Sequence, residues 1–152
     1  MRITAKVDYA VRAMTVLAVA DDERPVKAEA VAAAQDIPLQ FLLKILSELR
    51  LARLVTSRRG QQGGFVLARP AAQISVADVI RAVEGPLADV HGAPPEDLDY
   101  TGSATSLRAV WIATRLALRD VLEVVTIADI AHGTLPEAVE RTLSRPGADR
   151  RR

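Results

Sequence analysis

Cysteine is missing from all 152 residues of this chain. That excludes disulfides, thiolate metal sites and cysteine nucleophiles together. Aromatic residues are nearly missing too, at 3% with a single Trp. The 49% apolar fraction is therefore mostly Ala, Val and Leu, a mix that favours helices over a β-sandwich. No apolar run approaches the roughly 20 residues of a membrane span. The opening "MRITAKVDYAVRA" carries charge through its apolar part and does not read as a secretory leader. No Ser/His/Asp order, metal-ligand spacing or clustered acid pair stands out, which argues against an enzyme. The expectation is a cytoplasmic protein without a membrane partner, built as one domain or one domain with an appended element.

What is present is unevenly placed. The formal net charge is only +1. From Ile37 to Pro70 the bases are Lys44, Arg50, Arg53, Arg58, Arg59 and Arg69, and Glu48 is the only acid. From Ala71 to Asp149 there are 12 acids against 6 bases. One third of the chain is cationic and the rest neutral to acidic, as expected of a polyanion-binding unit with a separate body.

Hydrophobic periodicity supplies the elements. Val7, Ala10, Val11, Met14, Leu17 and Ala18 recur at helical spacing behind Thr4, a plausible N-cap. "DDERP" at 21–25 ends that helix, and "VKAEAVAAA" opens a short second one ending near Gln35. "QDIP" is a tight turn whose Pro38 suits the first turn of a third helix. That helix, Leu39 to Leu51, is expected to bury Leu42, Ile45, Leu46 and Leu49 and to present Gln40, Leu43, Lys44, Ser47 and Arg50 outward.

"RLVTS" and "FVLAR" then read as strands around the loop "RRGQQGG", Arg58 to Gly64. Helix, helix, turn, helix, strand, loop, strand is the order of a winged helix-turn-helix. As a wing, the loop would use its glycines for positive φ and close approach to a phosphate. Arg58 and Arg59 would supply charge for the backbone or the minor groove. Two other readings compete. One is a basic surface hairpin with no function. The other, a nucleotide phosphate loop, needs Lys-Ser/Thr after its last Gly, whereas Phe65 follows Gly64.

After Pro70, Ser75 caps "VADVIRAVEG", which Gly85-Pro86 ends. Residues 87–104 are a loop rich in Pro, Gly and acids. In the long helix beyond it, Leu107, Trp111, Thr114, Leu118, Val121 and Val125 form a heptad seam widened by Val110 and Leu122. So broad an apolar face packs either on its own domain or on the same helix of a second chain. Pairing is favoured, because helix-turn-helix units commonly read two half-sites as dimers. Thr126 caps "IADIAHG", "LPEAVERTL" is another helical piece, and "SRPGADRRR" reads as a disordered basic tail.

These stretches resemble the Rrf-two (Rrf2) family of bacterial winged-helix transcriptional regulators. "ITAKVDYAVRAM" is similar to the family's first helix, and "IPLQFLLKILSELRLARLVTSRRGQQGGFVLARP" to its recognition helix and wing. "ISVADVIRAVEGPL" is similar to the segment that follows, and "WIATRLALRDVLEVVTIADI" to the dimerisation helix and its end. The resemblance runs from about Met1 to Ala131. It implies a homodimeric repressor or activator on a pseudo-palindromic operator. The helix from Leu39 would enter the major groove and the wing would reach the flanking minor groove. Many members hold an iron–sulfur cluster through three cysteines in the loop before the long helix. Here that loop has none, so the usual thiolate ligation is absent. His91 lies in that loop, and Asp8 lies in the first helix, where some members place a non-cysteine ligand. Asp8 can equally pair with Arg12 at i, i+4, and His132 sits near a helix C-terminus where a cation is favoured. No metal or cofactor is therefore expected.

The expected fold is mainly α with a small β-wing. A winged helix-turn-helix (1–86) is followed by a linker and sensor loop (87–104), a dimerisation helix with C-terminal helices (105–143) and a basic tail (144–152). DNA-binding candidates are Gln40, Lys44, Ser47, Arg50, Arg58, Arg59, Gly60, Gln61, Gln62, Gly63 and Gly64. Dimer-interface candidates are Leu107, Trp111, Leu118, Val121, Leu122 and Val125. Gln suits adenine and Lys suits guanine in the major groove. A small-molecule effector, if there is one, would act through 87–104, whose Asp89, Glu96, Asp97 and Asp99 favour a cationic or polar ligand. The rival function is a winged-helix protein–protein assembly module, which outward-facing Leu43 favours and the Lys/Arg cluster opposes.

Overall fold

Thr4 starts the first helix, α1 (Ala5–Val19), by accepting the Val7 N–H on its side chain. The structure, a computed structural model, describes residues 3–20 and 24–148. Small side chains on α1 let other helices come close: Ala10 and Ala13 are fully buried with Val7, Met14 and Leu17. The expected Val11 and Ala18 are only partly buried, and Ala13 lies inside instead.

Helices α2 (Ala28–Gln35) and α3 (Leu39–Leu51) follow, bent by 116° at the break between them. Asp36 makes the turn in the left-handed region (φ 51), its N–H bonding to Ala32 O. Ile37 is buried beneath it. Pro38 caps α3 rather than lying inside it; its carbonyl accepts from Phe41 and Leu42. The buried set of α3 is the expected Leu42, Ile45, Leu46 and Leu49.

Strands β1 (Val55–Arg58) and β2 (Gly64–Leu67) pair antiparallel, Val55 opposite Leu67 and Arg58 opposite Gly64. Strand β1 cannot start at Arg53 as expected. Arg53 (φ 57) turns the chain off α3, and Leu54 N–H still bonds to Leu49 O. Val26 adds a bridge on the other edge of β2, with N···O distances of 2.9 and 2.8 Å to Phe65.

Helix α4 (Val76–Glu84) opens with a capping box between Ser75 and Asp78. The 87–104 segment buries Leu87 and Pro95, and has short helical turns at Pro95–Asp97 and Gly102–Ala104. Helix α5 (Leu107–Leu122) has no buried residue in its 16. It ends before Val125, because Val125 O accepts from Val76 N at 2.9 Å and pulls the chain back to the body. Val125, 6% exposed, is thus a residue of its own chain's interior and lies off the free face of α5.

Thr126 and Asp129 form a second capping box for α6 (Ile127–His132). Ile127 is fully buried in the same core as α1 to α4, and α6 packs on α1. The core therefore takes in chain from beyond α5. Helix α7 (Glu137–Leu143) buries nothing. Residues 145–148 close a turn, Ala148 N–H to Arg145 O; the rest of the expected tail, 149–152, lies outside the described residues, as do 21–23 of "DDERP". Among the described residues no single helix is long and apolar enough to cross a membrane.

Candidate nucleic-acid interface

Because α3 turns its four apolar residues inward, the opposite stripe is left open. Gln40, Leu43, Lys44, Ser47, Arg50 and Leu51 lie on it, all exposed. The stripe is polar and cationic but not purely so: Leu43 is 40% and Leu51 79% exposed. Phe41 flanks it, edge-on to Tyr9 with ring centroids 5.8 Å apart, and Arg12 lies over the Tyr9 ring.

The wing stands beside the C-terminal end of this stripe. Arg50 Nη1 donates to Ser57 Oγ at 3.4 Å, which links the last turn of α3 to β1. Arg58, Arg59, Gly60, Gln61 and Gln62 are exposed, and Gly63 and Gly64 partly so. The expected role of the glycines needs correction. Only Gly60 of the wing has positive φ, at 108°. A Cβ on Gly63 would lie 2.3 Å from Arg58 O, and one on Gly64 would lie 2.5 Å from Val26 O. Those two positions are glycine because the chain passes itself closely there, which explains them without any ligand.

The electrostatics sharpen on folding. Glu48, the lone acid of the cationic segment, pairs with Lys6 at 2.7 Å. Lys6 also donates to Val83 O at 2.6 Å, so it ties α1 to α3 and α4. This neutralising partner was not legible in the sequence, because 42 positions separate the two residues and no local rule connects them. Arg69 leaves the cationic set: it pairs with Asp78 at 2.8 Å and braces the start of α4. Besides Arg69, the exposed cations of this segment are Lys44, Arg50, Arg53, Arg58 and Arg59, and Lys44, Arg50, Arg58 and Arg59 lie on the α3 stripe or the wing.

The dimer candidates are placed differently from an open seam. Leu107, Trp111, Leu118, Val121 and Leu122 are half-buried against their own chain. The strongly exposed apolar side chains of this part are Val110 (51%), Leu116 (49%) and Val124 (46%). Polar ties hold α5 to the body. Arg81 and Arg119 both donate to Glu123, and their hydrogen bonds, Arg81's first, lower its pKa. Arg115 pairs with Glu96 at 2.6 Å, and that hydrogen bond is the main cause of the lowered Glu96 pKa. Trp111 Nε1 donates to Tyr100 Oη at 3.2 Å.

The metal candidates are dispersed. Asp8 pairs with Arg12 at 2.9 Å, and His132 Nδ1 contacts Ala128 O at 2.8 Å. Among the described residues no group of three His, Asp or Glu side chains is arranged to hold a metal ion.

Residues 3–133 match the family model described as Rrf2, iron-dependent transcriptional regulator. A Mycobacterium tuberculosis protein carrying the name HTH-type transcriptional regulator Rv1287 is 53% identical over 139 residues, 91% of this chain and 86% of that one. The HTH-type transcriptional regulator CymR of Bacillus subtilis is 33% identical over 134 residues, 88% of this chain and 92% of that one. The solved structure of CymR, titled the global cysteine regulator of B. subtilis, superposes with a TM-score of 0.74 at 33% identity, covering 88% of this chain and 98% of that one. The IscR structure from T. potens gives 0.71 at 29% identity, covering 99% and 97%. These relatives are transcriptional regulators rather than enzymes. The family description names iron, yet the donor set here does not fit an iron centre: thiols are absent, Asp8 is paired with Arg12, and among the described residues no three donors converge. With its winged helix, its cationic α3 stripe and its kin, this chain belongs to the Rrf2 family of DNA-binding transcriptional regulators.

Proposed function

We propose that the protein is a cytoplasmic homodimer that binds a pseudo-palindromic operator without a metal cofactor. One observation carries the reading: the open stripe of α3 and the basic wing are neighbours, joined at Arg50 and Ser57. Helix α3 enters the major groove, where Gln40, Lys44 and Ser47 read base edges. Leu43, in the same stripe, suits the C5-methyl of thymine. Arg50, Arg58 and Arg59 neutralise phosphates, and the wing from Gly60 to Gly64, with Gln61 and Gln62, follows the flanking minor groove.

The homodimer is supported by α5, which has no fully buried residue in its own chain and exposes Val110 and Leu116. Leu107, Trp111, Leu118, Val121 and Leu122 border that free face, whereas Val125 serves the interior. An effector, where one acts, works through 87–104, which lies between the winged helix and α5.

The rival reading, a protein–protein assembly module, draws on the exposure of Leu43 and Phe41 on α3. One experiment separates them. Genomic fragments selected on the purified protein are titrated by fluorescence anisotropy at several salt concentrations. A regulator yields a shared inverted-repeat motif and an affinity that falls steeply with salt. An assembly module yields no shared motif.

A further inference from the structure

A cavity of about 550 Å³ opens where α1, α4, α5 and the 87–104 segment meet. Small-molecule sites span roughly 300–1,000 Å³. Its walls are mainly apolar: Val7 from α1, Ile80 from α4, Leu87 from the loop, and Trp111 and Leu118 from α5. Among the described residues, Glu84 and Asp89 are the carboxylates lining it, His91 and Thr114 add polar groups, and no Lys or Arg lines it. Glu84 is fixed in place, since the Thr4 hydroxyl donates to its Oε1 at 2.7 Å. Trp111, the only Trp of the chain, is held by its bond to Tyr100 of the loop. The loop wall is also strained. Ala88 (φ 52) and His91 (φ 54) both sit in the left-handed region, where a Cβ is unfavourable. Such outliers persist where the surrounding structure demands them and cluster at ligand-binding sites.

An indole ring attracts a cation through its quadrupole, and carboxylates do so through their charge. The apolar walls take the rest of the molecule out of water. An anion meets like charge at Glu84 and Asp89, two carboxylates against the single imidazole of His91. We propose that this cavity binds an amphiphilic cation, an ammonium group carried on an apolar body. The acids at 96, 97 and 99, which the sequence suggested as recognition groups, do not line the cavity; Glu96 is paired with Arg115.

The test uses the full chain without DNA, so its result is independent of the operator reading. Octylamine, octanol and octanoate share one apolar body and differ in the head group. Each is titrated while the emission of Trp111 is followed. Octylamine is expected to give a saturable shift, octanol to bind about tenfold more weakly, and octanoate to give none. The double variant Glu84→Gln/Asp89→Asn should bring octylamine down to the affinity of octanol and leave octanol unchanged. Should the double variant not fold, Asp89→Asn alone, at an exposed position, should lose part of the same difference. No saturable response overturns the site. Equal binding of all three, or strongest binding of octanoate, overturns the cation chemistry. Sedimentation run in parallel covers the remaining occupant: a shift seen only as a dimer dissociates places a second copy in the cavity and overturns the proposal as well.

Discussion

Replacing Gly64 by Ala puts a methyl group where the backbone of residue 26 already lies. The added Cβ would sit 2.5 Å from Val26 O and 2.6 Å from Val26 C. Both are backbone atoms, so no side-chain rotation relieves the contact, and the strands must separate. Separation breaks the bridge in which Val26 N–H bonds to Phe65 O at 2.9 Å and Phe65 N–H to Val26 O at 2.8 Å. Two backbone hydrogen bonds at about 0.5–1.5 kcal/mol each give a loss of about 1–3 kcal/mol. For a chain of this size each kcal/mol moves Tm by roughly 2–4 °C, so the expected fall is about 2–12 °C. Scanning calorimetry on the free protein reads that fall, and anisotropy on a selected operator reads DNA affinity. Both should drop, because β2 is the trailing strand of the wing. An unchanged Tm with weakened DNA binding would refute the steric reasoning and return Gly64 to the role of admitting a phosphate.

Arg59→Ala should weaken specific and non-specific DNA alike and lower the salt slope by about one unit, measured by titration across ionic strengths; an unchanged slope removes the wing from the interface. Gln40→Ala should relax preference at one operator position by about 1–3 kcal/mol, read from a panel of single-base variants, and a uniform loss would make it a phosphate contact. Leu43→Ala should abolish the penalty that wild type shows when one operator thymine is replaced by uracil; if the penalty persists at every thymine, Leu43 does not read the methyl group. Val110→Asp places a charge on the exposed face of α5 and should give monomers in sedimentation with a near-normal Tm, since Val110 is 51% exposed in its own chain. Glu96 has a lowered folded pKa, chiefly through its hydrogen bond to Arg115. Its contribution is therefore present above the unfolded carboxylate pKa and is lost as pH falls through the folded value. Trp111 emission followed through that acid range should show a loosening of 87–104 that Glu96→Gln abolishes.

The resemblance and the wing were legible because the signals are local. Thr4, Ser75 and Thr126 each bond an N–H three residues on, and each is visible in the sequence as a cap before an apolar run. The boundaries of α3 and its buried face follow from helical period alone, which is why Leu42, Ile45, Leu46 and Leu49 needed no tertiary information. The wing was legible as a basic glycine loop between two strand-like runs. The purpose of its glycines was not, since the atoms that crowd Gly64 belong to Val26, on another element.

The amphipathic pattern of α5 shows the same division. Periodicity marked its broad apolar face, but could not divide that face between its own chain and a partner. Tertiary structure turned Trp111 and Leu118 toward the cavity and took Val125 off the helix, leaving Val110 and Leu116 outside. Charge likewise had to wait for the fold. Arg69 and Glu48 count toward the cationic segment in the sequence, yet both are paired with residues outside it, Asp78 and Lys6. By itself the sequence determined where the helices lie, the Thr4, Ser75 and Thr126 caps, the wing and the cationic character of residues 37–70, because each depends on residues close together in the chain. Only the tertiary structure decided that Arg69 and Glu48 pair outside the cationic segment, why Gly64 is glycine, and that a cavity forms between α1 and α5. Each of those rests on contacts between residues far apart in the chain, as with Thr4 and Glu84, 80 positions apart, or Lys6 and Val83, 77 apart.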